Sequence, residues 1–189
     1  CSSDLTINET ENYYEASSVI WERFAWLRAR KIMGSEKLAC DLKARLKSFV
    51  YRRSLSEDDL DRFLEIKNEM CNARRKKRHW NVKVGEGGIR DIEFFIQMLQ
   101  IVNAYQIPEL QDTGTISILN TLKNHGLIKE EEAAEVFHSY LFLRKLENRL
   151  QMIEEQQTHE LPDELDKRII IARSMGIAGD SNDAILDVF

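Results

Sequence analysis

Glycine and proline, the residues that interrupt helices, are scarce in this sequence: 8 Gly and 2 Pro stand among 189 residues. These ten residues are about 5% of the chain, whereas the two types make up roughly 12% of an average protein. All-β and loop-rich folds need such residues at their many turns. The scarcity therefore predicts an all-α fold. Short connections between the periodic segments indicate an antiparallel helical bundle.

Apolar residues recur every three to four positions along most of the chain, which is the spacing of one helix face. Gly34, Gly126 and Gly176 stand where helices are expected to end, Ser35 where one begins, and Ser56 opens a capping-box pattern. Leu38, Tyr140, Ile153, Leu165, Ile169 and Ala172 are among the residues expected to face the core. The pattern predicts helices over residues 11–33, 35–50, 56–78, 89–102, 115–125, 129–157 and 162–175, and a short segment over 183–189.

Charge and cysteine content exclude several classes of function. The formal net charge is −5, whereas domains that bind nucleic acid generally carry a basic patch. Cys1, Cys40 and Cys71 are far apart and show no CxxC spacing, which fits a reducing cytoplasm and neither a disulfide framework nor a zinc site. No apolar stretch reaches the ~18–20 residues of a membrane helix. Because residue 1 is not Met, we expect the chain to be a piece of a longer protein.

The segment over residues 81–88 interrupts the helical pattern and holds Gly85, Gly87 and Gly88. A glycine-rich loop before a helix start allows the backbone to approach a ligand, and the helix start is expected to present unpaired N–H groups there. Lys83 and Arg90 add positive charge on either side. The segment therefore predicts a phosphate or other anion site, and the alternative is a tight turn between two helices.

Two polar rows at helical spacing are the next candidates. Arg90, Glu93, Gln97 and Gln100 form one row, in which Arg90 and Glu93 can make an i,i+3 pair. The other row comprises Arg144, Glu147, Asn148 and Gln151. Each row is either a solvated surface or a functional face, and the two could pair across a buried polar seam. His159, beyond the second row, is expected to be solvated and not to act as a catalytic base.

The sequence lacks the motifs of a complete catalytic centre. There is no GxSxG, HExxH or DxD pattern, and Thr6 stands where a second metal-binding carboxylate would follow Asp4. The basic run Arg74–Arg78 is expected at a helix end, where positive charge is favourable. We therefore predict no catalytic residue and no metal ligand in this chain.

The residues from Asn81 to Phe94, NVKVGEGGIRDIEF, resemble the NxKxGxGGIR[DE]IEF signature of the bacterial glutamine synthetase adenylyltransferases. The related PII uridylyltransferases carry a close variant of this signature. Further segments favour the adenylyltransferases: YYE at Tyr13, WERFA at Trp21, with Arg28 in place of the usual Lys, FVYRR at Phe49, YLFLR at Tyr140 and QQTH at Gln156. The resemblance covers nearly the whole chain.

The resemblance implies a bifunctional enzyme that attaches AMP to glutamine synthetase and removes it by phosphorolysis, using ATP, ADP, phosphate and Mg²⁺. It implies the helical domain that follows a polymerase-β-like catalytic domain, whose sheet and metal-binding carboxylates are absent from this chain. Residues 1–80 would lead from that domain and residues 81–189 would form the signature bundle. The FVYRR segment is closer to the N-terminal, adenylyl-removing unit. The family signature carries over onto Lys83, Gly85, Gly87, Gly88, Arg90 and Glu93 as phosphate- or nucleotide-binding residues.

Two alternatives remain at this point. The chain could be a docking module for glutamine synthetase or the PII signalling protein, or it could be the bundle of a PII uridylyltransferase. In either case no nucleic acid or membrane partner is expected. We also expect apolar surface to be exposed where the catalytic sheet would sit, and this would favour self-association.

Overall fold

The computed structural model describes residues 5–17, 19–52, 81–154 and 158–177, together with six separate positions between residues 59 and 68. In these ranges the backbone forms α-helices, one short 3-10 helix and a single isolated antiparallel bridge between Asn81 and Glu160. The predicted all-α fold is confirmed for the described residues, and the antiparallel bundle stays a prediction.

The described helices follow one another with short connections after residue 81. None of them is long and apolar enough to cross a membrane. Their bounds are α1 Ile7–Ala16, α2 Ile20–Leu27, α3 Glu36–Val50, α4 Ile89–Asn103, the 3-10 helix Pro108–Leu110, α5 Thr115–Asn124, α6 Glu130–Glu154 and α7 Leu165–Ser174.

The first predicted helix, over residues 11–33, is wrong as a single element, because the chain divides it into α1 and α2. Thr6 and Glu9 form a capping box that begins α1 earlier than predicted. The Val19 N–H donates to Glu22 Oε2 at 2.9 Å, so a second helix begins there. A side chain that satisfies a free N–H group stabilises a new helix start in the middle of a periodic pattern.

Helix α2 ends at Leu27, well before the predicted end at Gly34. Arg28 turns away from the helix to Thr115, whose Oγ1 accepts from Arg28 Nη2 at 2.7 Å. Gly34 has a φ of +99° and turns the chain toward α3 instead of ending α2. The predicted Ser35 cap is confirmed, since its Oγ accepts from the Leu38 N–H at 3.4 Å.

Part of the predicted core pattern is confirmed, but Phe95, which belongs to the predicted apolar face in the middle of α4, is 45% exposed. Ile169 and Ala172 are buried, as is Tyr140. Leu38, Leu165 and Ile153 were expected to face inward, but 56%, 57% and 37% of their surfaces are exposed. All three lie in the first or last turn of a helix, where fewer neighbouring side chains are available to cover them.

The chain divides into two compact units, each formed by two stretches of sequence. The first comprises Cys1–Glu69 and Phe95–Ile128, and the second comprises Met70–Phe94 and Lys129–Phe189. The division predicted between residues 80 and 81 stays a prediction. The capping-box pattern at Ser56, the basic run Arg74–Arg78 and the segment 183–189 lie outside the described residues.

Each unit has its own apolar cluster. In the first unit, buried Leu27, Phe49, Val50 and Ile101 pack together, and the rings of Tyr14 and Phe49 lie 4.9 Å apart. In the second unit the buried cluster contains Val82, Leu146, Leu150, Leu161, Ile171 and Met175. Val82 belongs to the glycine-rich segment, so this cluster holds the segment against α6 and α7.

Candidate functional site

The glycine-rich segment is fixed at its start by backbone contacts. The Val82 N–H donates to the His159 carbonyl at 2.9 Å, beside the bridge between Asn81 and Glu160. Asn81 Oδ1 accepts from the N–H groups of Lys83 and Val84 at 3.1 and 3.0 Å. An asparagine side chain in this position closes a tight turn. The loop therefore has a defined shape that does not depend on a ligand.

The three glycines serve this shape in different ways. A Cβ atom on Gly85 would lie 2.4 Å from the Asn81 carbonyl oxygen, and one on Gly88 would lie 2.8 Å from the Val82 carbonyl oxygen. Gly87 has open space around it but a φ of +71°, which side chains rarely allow. Two glycines are thus required by close backbone approach and one by its backbone conformation.

The start of α4 does not present unpaired N–H groups, so this part of the sequence interpretation is wrong. The N–H groups of Ile89 and Arg90 donate to the carbonyls of Val82 and Lys83, both at 3.0 Å. The Gly87 N–H donates to Asp91 Oδ2 at 3.0 Å, and the Asp91 N–H to the Gly88 carbonyl. The loop folds back and satisfies the donors that a helix start leaves free. An anion here would have to be held by side chains.

Glu147 is the centre of a set of charged side chains around this loop. Its side chain is only 7% exposed, and its Oε2 accepts from Arg144 Nη1 at 2.8 Å. Its other oxygen, Oε1, lies 3.1 Å from His159 Nδ1 and 3.7 Å from Lys83 Nζ. The contact with Nδ1 is close but lacks the alignment of a hydrogen bond. The buried Glu147 carboxylate is held in place by the side chains of Arg144, Lys83 and His159 around it.

Glu93 joins this set from α4. Its Oε1 accepts from Arg144 Nη2 at 2.7 Å and from the Tyr140 hydroxyl at 3.0 Å. The Arg144 guanidinium also lies over the Tyr140 ring, 5.3 Å from its centre. We call Lys83, Glu93, Tyr140, Arg144, Glu147 and His159 the ionic cluster.

Arg144 remains charged in the ionic cluster. Burial lowers the pKa of Arg144, but hydrogen bonds with Tyr140 and Glu147 and the charge of Glu93 outweigh it, so the pKa is raised overall. Lys83 Nζ lies 3.5 Å from His159 Nε2. The side chains of Lys83 and Arg144 are 34% and 40% exposed, so both reach the surface while Glu147 does not.

The structure brings some predicted site residues together and separates others. Lys83 and Glu93 belong to the ionic cluster, and the Arg90 N–H is bonded to the Lys83 carbonyl while the residue itself is exposed. The predicted pair between Arg90 and Glu93 is wrong for the described residues, because Glu93 pairs with Arg144. Gly85, Gly87 and Gly88 shape the loop between them.

The two polar rows meet only in part. Glu93 pairs with Arg144, so the two rows pair at this point as predicted, but their side chains are 26% and 40% exposed and do not form a buried seam. Gln100 is fully buried and donates to the carbonyls of Leu110 and Asp112, at 2.7 and 2.8 Å. Asn148 and Gln151 instead line a groove of about 490 Å³ with Lys145, Arg149 and Met152, and none of the residues predicted to bind phosphate or nucleotide lines it.

Two members of the ionic cluster, Tyr140 and His159, were not predicted as site residues from the sequence. Tyr140 was expected only as an apolar core residue, yet its hydroxyl bonds to Glu93. His159 was expected to be solvated, yet its side chain is only 24% exposed and lies against Glu147. The QQTH segment that ends at His159 was a signal in the sequence, but its partner could not be read from spacing. In the described ranges, no group of three or more His, Cys, Asp or Glu side chains could hold a metal ion.

Residues 62–187, about two-thirds of the chain, match the family model described as GlnD PII-uridylyltransferase. The chain belongs to this family. The match includes the glycine-rich segment and the whole ionic cluster. The family thus contains the region in which the structure places the candidate site.

Relatives with assigned names add detail to the family. The chain is 37% identical over 92% of its length to the bifunctional glutamine synthetase adenylyltransferase/adenylyl-removing enzyme of Stenotrophomonas maltophilia K279a. It is 38% identical over 91% of its length to the enzyme of the same name from Methylococcus capsulatus Bath. It is 36% identical over 93% of its length to the enzyme of the same name from Hahella chejuensis. These matches confirm the resemblance to the adenylyltransferases. The chain spans 18–19% of the length of these relatives.

Proposed function

We propose that this chain is the non-catalytic helical part of a bifunctional nucleotidyltransferase that adenylylates and deadenylylates glutamine synthetase in the bacterial cytoplasm. Such an enzyme would control nitrogen assimilation. The names of the relatives, which match over more than 90% of this chain, support the proposal. The small share of their length that it spans is consistent with catalytic residues lying elsewhere in the protein.

In this proposal the glycine-rich loop and the start of α4 position the phosphates of ATP, ADP or inorganic phosphate. The observation that carries it is the pair of cations at the loop. The side chain of Lys83 reaches the surface, and its ammonium group lies beside Glu147 and His159. Arg90 is exposed, and its N–H donates to the Lys83 carbonyl. Fixed cations that neutralise phosphate charge are a main protein contribution to phosphoryl and nucleotidyl transfer.

Mg²⁺, which the resemblance implies for the complete enzyme, does not fit the described residues. The acidic side chains of the ionic cluster are already bonded to Arg144 and Tyr140 or lie against Lys83 and His159. We therefore propose that Mg²⁺ is bound by residues outside this chain. The loop would act on phosphate charge directly.

The proposal is tested by replacing Arg90 with Ala in the full-length protein. Loss of one phosphate-binding cation should lower the rates of both adenylylation and phosphorolysis by about 10- to 100-fold, which is roughly 1.4–2.8 kcal/mol of lost transition-state stabilisation. Lys129→Ala is the matched control, because this lysine is 78% exposed and lies 3.9 Å from Glu132, away from the ionic cluster. Rates that are unchanged in Arg90→Ala, in a folded protein, would reject the role of the loop.

A docking module for glutamine synthetase or the PII protein is a second candidate. It is favoured by the exposure of large apolar side chains in the first unit, where Trp21, Ile32 and Met33 are 55%, 87% and 90% exposed. Clusters of exposed apolar residues often mark protein interfaces. Capture of purified glutamine synthetase or PII by this chain, and loss of capture in Ile32→Ser/Met33→Ser, would support docking.

The bundle of a PII uridylyltransferase is a third candidate, favoured by the description of the matching family. It is distinguished from the leading proposal by assaying the full-length protein with both protein substrates. Transfer of AMP to glutamine synthetase would support the leading proposal. Transfer of UMP to PII, without AMP transfer, would replace it.

A further inference from the structure

We infer that binding of an oxyanion at Lys83 is coupled to uptake of a proton by His159. This inference rests on the proposed function, because it takes the loop to be a phosphate-binding element. It concerns the regulation of that site and adds a residue, His159, that the family signature at residues 81–94 does not include.

Charge balance in the ionic cluster is the first argument. Lys83 and Arg144 carry two positive charges and Glu93 and Glu147 carry two negative charges, at contact distances between 2.7 and 3.7 Å. The cluster is therefore neutral when His159 is neutral. An arriving oxyanion would leave the cluster with an excess of negative charge. A protonated His159 would supply the positive charge that compensates it.

The contacts of His159 are the second argument. Lys83 Nζ lies 3.5 Å from His159 Nε2, and because an ammonium group can only donate, Nε2 is the acceptor in any hydrogen bond between them. The ring proton then lies on Nδ1, facing Glu147 Oε1 at 3.1 Å. Protonation would place a second N–H on Nε2, directed at the ammonium of Lys83. Without an anion between them, these two cationic groups repel each other.

An oxyanion beside Lys83 makes protonation of His159 favourable instead of unfavourable. It accepts from Lys83 and from a protonated Nε2, and it draws Lys83 away from Glu147, which leaves His159 as the cation nearest to Glu147 Oε1. The other two charged members of the ionic cluster, Glu93 of α4 and Arg144 of α6, remain paired with each other. Since the anion-bound state holds the extra proton, binding strengthens as pH falls.

The test is calorimetric titration of the full-length protein with sulfate, whose charge does not change between about pH 6 and 8, the range in which histidines commonly titrate. We expect affinity to rise about five- to tenfold from pH 8 to pH 6. Proton uptake, measured in two buffers of different ionisation enthalpy, should be about half a proton per site near pH 7. His159→Gln keeps a hydrogen-bonding side chain without a titrating charge and should bind with no pH dependence. His138→Gln, which changes an exposed histidine of α6, is the matched control.

The outcomes separate the inference from the proposed function. Lys83→Met should abolish the pH-dependent binding. Lys83-dependent binding with no proton uptake, or a pH dependence that persists in His159→Gln, would overturn the inference and leave the proposed function standing. Absence of any Lys83-dependent binding would overturn both. The proton-uptake measurement uses the unaltered protein, so the test does not depend on the folding of a variant.

Discussion

At the scale of single residues, the backbone of the loop itself explains why its three glycines are glycines. From spacing alone, Gly85, Gly87 and Gly88 indicate either an anion cradle or a tight turn, and the two cannot be distinguished. The difference lies in where the N–H groups of residues 89–91 point, and these groups donate to the carbonyls of Val82, Lys83 and Gly88. Such closure depends on three-dimensional backbone geometry, which residue types do not specify.

Alanine substitutions should therefore rank the glycines. Gly85→Ala places a Cβ against the Asn81 carbonyl and should lower the free energy of unfolding by about 2–3 kcal/mol. Gly87→Ala meets no atom but adopts a positive φ, and should cost about 1 kcal/mol. Urea denaturation of the chain measures both. Equal losses, or a larger loss for Gly87→Ala, would contradict the backbone approach seen at Gly85.

At the scale of elements, the ionic cluster joins the loop, α4 and α6 through charged side chains. Helical spacing predicted that the row with Glu93 and the row with Arg144 could pair, and the structure confirms a pair between these two residues, although it is partly exposed. His159 could not be placed in this way. The chain beyond α6 folds back along Asn81, and helical periodicity carries no information about such a return.

Removing the charge of Glu147 tests how strongly the cluster holds these elements. Glu147→Gln keeps the shape of the side chain but leaves Arg144, Lys83 and His159 short of one buried negative charge. The free energy of unfolding should fall by about 1–3 kcal/mol, less than for a fully buried pair because Arg144 and Lys83 are partly exposed. Glu135→Gln, on the exposed face of α6, is the matched control and should change it by less than about 0.5 kcal/mol.

Thermal or urea denaturation of the two variants at neutral pH gives this comparison. Equal stability of Glu147→Gln and the unaltered chain would mean that the charges of the cluster contribute nothing net to the fold.

The division of the first predicted helix is a second case that helical periodicity could not predict. Its apolar spacing continues through residue 19, but Glu22 accepts from the Val19 N–H and begins a new helix there.

At the scale of the whole molecule, scarcity of glycine and proline was sufficient to predict the all-α fold. The signature from Asn81 to Phe94 predicted the family only together with further segments such as FVYRR and QQTH. The organisation into two units was not predictable, because each unit combines stretches that are distant in sequence. The proposed chemistry also extends beyond this chain, which spans less than a fifth of its named relatives.

In the proposed function, the cations of the glycine-rich loop contact phosphate. A crystal structure of the full-length protein with a non-hydrolysable ATP analogue would show this contact. We predict a phosphate oxygen within about 3 Å of Lys83 Nζ or the Arg90 guanidinium. A well-ordered nucleotide whose phosphates are bound elsewhere, with both side chains pointing away from it, would contradict the claim.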